Sequence, residues 1–162
     1  MIPVGTNDME QIVCEVLSQM KATTTMNLKL ALALMEKVEA EAKRIGVKAV
    51  VAVSDASGRP VAIHCTDGAF IGSFDVALNK TYTAVAFQMS TAKLAELAAP
   101  GGSLYGIQHT NEGKIVIFGG GEPLYVDDVL IGAIGVSGGT AEQDTYLGAY
   151  GKNILKEVIA WK

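Results

Sequence analysis

Residues 47–65 hold the pattern that most narrows the possible folds: two short strands joined by a four-residue turn. Val47–Ser54 (VKAVVAVS) is rich in valine, and Pro60–Cys65 (PVAIHC) is a second apolar run of strand length. Between them lies Asp55-Ala56-Ser57-Gly58, with an Asx residue to fold the turn and a glycine for its left-handed position. A hairpin of this kind commits the sheet to antiparallel pairing and excludes a doubly wound parallel core. The second half repeats the theme. Lys114–Phe118, Glu122–Val126 and Val129–Val136 read as three more strands, joined by Gly119-Gly120-Gly121 and Asp127-Asp128. An antiparallel sheet drawing on these strands is therefore expected.

Helical patterns fill the rest. Asn7 or Asp8 caps a first amphipathic helix, with Glu10 or Gln11 as the capping-box partner and Met9, Ile12, Val13, Val16, Leu17 and Met20 on one face. Ala22-Thr23-Thr24-Thr25 reads as a linker, because three β-branched polar residues suit neither helix nor core. A second helix is expected from about Met26 to Ile45, with Leu28, Leu32, Met35, Val38 and Ala42 inward, and Gly46 as its stop. Phe70–Met89 and Ser90–Ala98 follow as helices, residues 101–113 as a loop, and a last helix starts at Thr140 or Glu142 and reaches Trp161. Hairpins and helices together make an α+β layer fold. Residues 1–21, 22–25 and 26–162 divide as helix, linker and domain.

Composition supplies the exclusions. The chain has 162 residues, 49% of them apolar and 19% charged, so disorder is out and a single self-sufficient core is expected. So few charges leave apolar surface that subunit contacts would cover. The net charge is −4 and no Lys/Arg stripe occurs, which argues against nucleic acid. No apolar run approaches a membrane span, and the acidic polar face of the first helix disfavours a membrane surface. Two cysteines, Cys14 and Cys65, make no disulfide framework, and no secretion signal precedes the domain, so a cytoplasmic protein is expected.

Two motifs are weaker than they look. Gly135-Val136-Ser137-Gly138-Gly139 matches a nucleophile elbow, yet both histidines, His64 and His109, precede it, whereas a hydrolase needs its histidine after the serine. Phe118-Gly119-Gly120-Gly121 leads into Glu122-Pro123 instead of a helix N-terminus, so a phosphate cradle is disfavoured. A tight hairpin, or close approach of a ligand's flat face to Gly119 and Gly120, fits that segment better. His64 reads as a partly buried strand residue or a ligand contact, and His109 lies in a glycine-bounded loop where functional residues concentrate. Adjacent on a strand, His64 and Cys65 cannot share one metal. Lys80 is the lone cation of an apolar helix, able to snorkel or to neutralise a ligand carboxylate. Asp67, Lys80 and Glu142 are available as acids or bases if the chain is an enzyme, and no catalytic residue can be assigned.

The segments VVAVSDASGRPVA (50–62), TDGA (66–69), ALNKTYTAVAF (77–87), FGGGEPL (118–124) and LIGAIGVSGG (130–139) together resemble the GlcG/HbpS-like haem-binding domains, which include the C-terminal domain of PduO-type proteins. The resemblance covers about residues 25–160. It implies a profilin-like α+β domain with a central, mostly five-stranded antiparallel sheet flanked by helices, assembly into dimers, tetramers or octamers, and binding of haem, with a corrinoid as second choice. His64 or His109 would then ligate the iron, with Lys80 or Arg59 near the propionates and Gly119 and Gly120 under the macrocycle. Family members often carry histidine where this chain has Arg59, directly after the Asp-x-x-Gly turn. The first helix lies outside that domain and resembles the encapsulation peptides of bacterial microcompartments, which would dock Ile12, Val13, Val16, Leu17 and Met20 on a shell protein. Alternatively it packs on its own domain or pairs subunits, and the chain is an enzyme on a small aldehyde, diol or hydroxy-acid, or a scaffold.

Overall fold

The computed structural model describes Met9, Gln11 and residues 24–160. Asn27 opens the fold by accepting the Leu30 N–H on its side-chain oxygen at 3.0 Å, which caps α1 (Leu28–Arg44). There follow β1 (Val50–Asp55), β2 (Pro60–Cys65), α2 (Ser73–Phe87), α3 (Thr91–Ala98), two single 3₁₀ turns (Ile107–His109 and Asn111–Gly113), β3 (Gly121–Val126), β4 (Val129–Ser137) and α4 (Ala141–Ala160). Thr140 and Gln143 start α4 as a reciprocal capping box, each side chain accepting the other's backbone N–H.

The four strands form one antiparallel sheet in the order β2-β1-β4-β3. Each edge strand pairs with its hairpin partner, and the centre is closed by β1 against β4, where Val50 meets Ser137 and Val53 meets Ile134. Both hairpin turns follow the expected chemistry. The Asp55 carboxylate accepts the N–H groups of Ser57 and Arg59, with Gly58 at φ 75°. Asp127 and Asp128 both sit at positive φ, 48° and 64°, the geometry whose twist matches a two-residue hairpin.

The expected fifth strand does not form. In the segment 114–118, Ile115 and Val116 are buried. The Val116 N–H is donated to Thr83 Oγ1 of α2 at 3.0 Å, so this stretch lies along a helix and not on the sheet edge. The α+β class with an antiparallel sheet between helices stands.

The two faces of the sheet are covered differently. On one side α1 and α4 press a broad apolar core of Leu30, Leu34, Val38, Val51, Val53, Leu124, Ile134, Val136, Leu147 and Leu155. An irregular register at Leu124/Tyr125 lets both Ile131 and Ile134 join that core from β4. The inward face of α1 differs from the expected one. Leu30, Ala31 and Leu34 point in with Met35, Val38 and Ala42, whereas Leu28 and Leu32 are 56% and 39% exposed. Leucines at every second position from 28 to 34 leave the helical phase ambiguous, and the small residues Ala31 and Ala42 settle it by permitting close approach.

On the other side α2 lies almost directly on backbone. Gly121, Gly135 and Ala52 are in register across three strands. A Cβ on Gly135 would sit 2.1 Å from the Ala77 carbonyl oxygen, and one on Gly121 would sit 2.7 Å from that of Lys80.

Candidate functional site

The glycine row decides where Lys80 goes. With α2 so close, its side chain has no room to turn outward and runs along the sheet, fully buried. Its ammonium donates to the Val136 carbonyl at 2.6 Å and to Asp144 Oδ2 at 2.9 Å. The Phe118 ring centroid lies 4.9 Å away, close enough for a cation–π contact. Asp144 Oδ1 accepts the Gly139 N–H at 2.9 Å, so one buried ion pair ties α2, β4 and the start of α4 together. Burial holds the Lys80 amine below the usual lysine range, while the Asp144 charge and hydrogen bond pull the other way.

Lys80, Gly119 and Gly120 are therefore moved from a ligand surface to the interior. A Cβ on Gly119 would strike Thr145 Oγ1, and one on Gly120 (φ 113°) would come 2.6 Å from the Val136 carbonyl. These glycines wrap the ion pair, and the Gly120 carbonyl accepts the Val136 N–H at 2.9 Å. Their backbone faces protein.

The outward side of α2 is the surface open to a ligand. Phe74, Leu78 and Tyr82 recur every four residues and form one stripe. Phe70 and Ile71 extend it beyond the helix start, at 74% and 96% exposure. At the other end the Tyr82 ring lies under the β1–β2 turn, 3.5 Å from where a Gly58 Cβ would be. The next residue, Arg59, is 81% exposed at its side chain, with only a 3.7 Å contact to Asp55. Asn111 Nδ2 donates to the Tyr82 hydroxyl at 3.0 Å, which fastens the loop carrying His109 to the same end. Read from the sequence, Phe70–Met89 is one apolar helix whose faces are not separated, so this stripe goes unseen; the four-residue spacing of Phe70, Phe74, Leu78 and Tyr82 is the available signal.

His64 lies elsewhere. Its Nδ1 is 2.6 Å from Glu39 Oε1 of α1, on the opposite side of the sheet from α2. This pairing orients the ring through Nδ1, and the side chain stays partly exposed; a carboxylate partner on one ring nitrogen is often found for metal-binding imidazoles. The two histidines thus belong to different faces of the protein. Among the described residues no group of three or more His, Cys, Asp or Glu is placed to hold a metal ion. Asp67 lies in the turn after β2 and Glu142 in the first turn of α4, both exposed, while Lys80 is enclosed. No helix among the described residues is long and apolar enough to cross a membrane. Ile12, Val13, Val16, Leu17 and Met20 lie outside the described residues.

The α2 stripe places aromatic and aliphatic side chains along its length, with the Arg59 guanidinium at its end and His109 on the neighbouring loop. The chain is 45% identical over 123 residues, 76% of its length and 87% of the relative's, to an uncharacterised 15.0 kDa protein from the dhaT-dhaS intergenic region of Citrobacter freundii. It is 40% identical over 103 residues to the corrinoid adenosyltransferase PduO of Salmonella typhimurium, covering 64% of this chain and 31% of that longer protein. The solved structure of a PduOC:heme complex superposes with a TM-score of 0.77 at 32% identity, over 80% of this chain and 94% of that one. A family model described as "Haem degrading protein HbpS-like" matches residues 26–151, and the chain accordingly belongs to the HbpS-like family.

Proposed function

We propose that this protein is a small oligomeric haem-binding protein that serves a bacterial microcompartment. The observation that carries the haem reading is the stripe of exposed Phe70, Ile71 and Phe74 and half-buried Leu78 and Tyr82, ending at the exposed side chain of Arg59. Those side chains would hold the macrocycle by apolar contact, Arg59 would take a propionate in a charge-assisted pair, and His109 would offer an imidazole to the iron. Bound haem would supply one-electron and O₂ chemistry. An open stripe covers one face of a ring, so a second copy of the chain is expected to cover the other. His64, oriented by Glu39 on the far side of the sheet, is the donor available from such a neighbour.

Haemin titration of the purified protein tests this. A saturable, stoichiometric, red-shifted Soret band is expected, with affinity reduced at least tenfold by Phe74→Ser or Arg59→Ala and the band shifted by His109→Ala. A broad rise without saturation, unaffected by these changes, would discard the site. If His109→Ala is silent and His64→Ala shifts the band, the ligand is His64.

The microcompartment part rests on the amphipathic pattern of residues 8–21 and on the likeness to a stretch of PduO. Fusing residues 1–21 to a fluorescent protein and co-expressing shell proteins tests it. Punctate fluorescence lost on Val16→Glu/Leu17→Glu is the expected result.

A further inference from the structure

The sheet has two edges, and they end differently. At β3 the Gly121 N–H is donated to Thr91 Oγ1 of α3 at 2.9 Å. At β2 the outward main-chain groups have no partner among the described residues. The register says which groups those are. The Thr66 N–H is donated to the Ala49 carbonyl, so alternation turns the N–H and C=O of Ala62 and His64 toward β1 and those of Ile63 and Cys65 away from it. Ala62 pairs with Val53 and Pro60 with Ser54, which makes Val61 the extra residue of a bulge, turned inward beside Ala62. Pro60 has no N–H to offer. The free edge therefore comes down to Ile63 and Cys65, with two N–H and two C=O groups. Strand β2 carries no Lys, Arg, Asp or Glu, the charges that usually guard such an edge.

We propose that a second copy of this chain pairs antiparallel with β2 about a two-fold axis at His64, and that the two His64 imidazoles brought together there hold a divalent transition-metal ion. The free groups dictate the register. All four are satisfied only with Ile63 opposite Cys65 of the partner subunit and Cys65 opposite the partner subunit's Ile63. His64 then faces His64 of the partner subunit as a non-hydrogen-bonded pair, with Cα atoms about 4.5 Å apart and both side chains on one face of the sheet. Each ring arrives with Nδ1 2.6 Å from Glu39 Oε1, so α1 sets its orientation. With Glu39 on Nδ1, the donor left for an ion is Nε2, and a carboxylate on the other nitrogen strengthens it as a ligand. Two carboxylates also meet at this point of the interface, and a divalent cation neutralises them. Imidazole donors suit zinc, copper or nickel, whereas calcium and magnesium take oxygen. Among the described residues one chain gathers no group of three ligands, so the site is complete only in the pair. Four edge hydrogen bonds alone hold two copies weakly, and the ion sets the affinity. The proposal is independent of haem, because His64 lies on the opposite side of the sheet from α2.

Two measurements on the haem-free full chain test it. In a Cys14→Ser/Cys65→Ser background, His64→Cys should give a disulfide-linked dimer on mild oxidation, since a Cα separation of about 4.5 Å lies within disulfide range. Ala62→Cys in the same background, which the register sets against Thr66 of the partner subunit, should not. Sedimentation with added Zn²⁺ should show the dissociation constant of the pair fall at least tenfold relative to EDTA-treated protein, with one zinc bound per two chains. His64→Ala should abolish that zinc effect. Ile63→Pro removes one outward N–H, leaves the inward bonds of Ala62 and His64 in place, and should abolish pairing with or without zinc. No cross-link at position 64, or equal cross-linking at 62 and 64, would overturn the edge pairing, and so would a zinc effect that survives Ile63→Pro. Zinc bound once per chain, or association indifferent to zinc, would overturn the ion site. If Ile63→Pro fails to fold, the two cysteine variants still decide the register.

Discussion

Lys80 carries its charge into a place without water, and that placement has a measurable cost. Removing one partner of a buried ion pair leaves the other unpaired, so Lys80→Ala is expected to lower stability by about 3–5 kcal/mol in denaturant unfolding. The double change Lys80→Met/Asp144→Leu should recover much of the loss, since an apolar pair leaves no orphan charge, though the Gly139 N–H then loses its acceptor. A different kind of pairing occurs at the surface. Glu41 takes hydrogen bonds from Arg44 and from the Tyr146 hydroxyl of α4, and these hold its carboxyl down at about 2, against an ordinary 4.5. A depressed carboxyl stabilises the fold above about pH 4.5, and the benefit drains away as pH falls through about 2. Thermal unfolding between pH 5 and pH 2 should therefore decline less steeply in Glu41→Gln than in wild type. The sequence shows a lone lysine in an apolar helix, and so a charge with something to neutralise. That its partner is Asp144, 64 positions on, is a tertiary fact that no local spacing announces.

Elements were readable where a turn residue or a cap forces the chain. The Asp55–Gly58 and Asp127-Asp128 turns, the limits of β2, and the start of α4 near Thr140 all follow from local chemistry. Failures came where helix and strand compete for the same residues. Lys114–Phe118 has strand-like side chains, yet the Thr83 hydroxyl accepts the Val116 N–H and donates to the Lys114 carbonyl, which holds the segment against α2 instead of in a ladder. Leu28 and Leu32 misled the phase of α1 because the helix bears leucine on more than one side. The glycines were legible as a cluster but not in role: Gly121 and Gly135 look like turn or ligand glycines until their register shows them paired under α2. Gly135→Ala tests that role. Its Cβ would meet backbone at 2.1 Å, and lifting α2 off the sheet should cost about 1–3 kcal/mol in unfolding. Ala56→Gly, in an open hairpin turn, serves as the control and should change little.

At the scale of the whole molecule, the α2 stripe with the His109 loop lies on one side of the sheet and His64 on the other. The sequence could name His64 and His109 together but could not show that the sheet separates them, because their separation depends on which way β2 and the 101–113 loop face. The sheet order has a consequence for how the chain reaches this state. β1–β2 and β3–β4 are local hairpins, and the strands that join them, β1 and β4, pair residues as distant as Val50 and Ser137. Nearly the whole domain must be brought round as a closed loop before that central seam can zip, so its assembly is expected late and slow, with the hairpins waiting as half-sheets. Stopped-flow refolding should accordingly show β1 and β4 amides gaining protection together in the final phase. Until then each half-sheet exposes an unpaired central edge, and a cell making this protein quickly would see aggregation through that edge before it sees misfolding anywhere else.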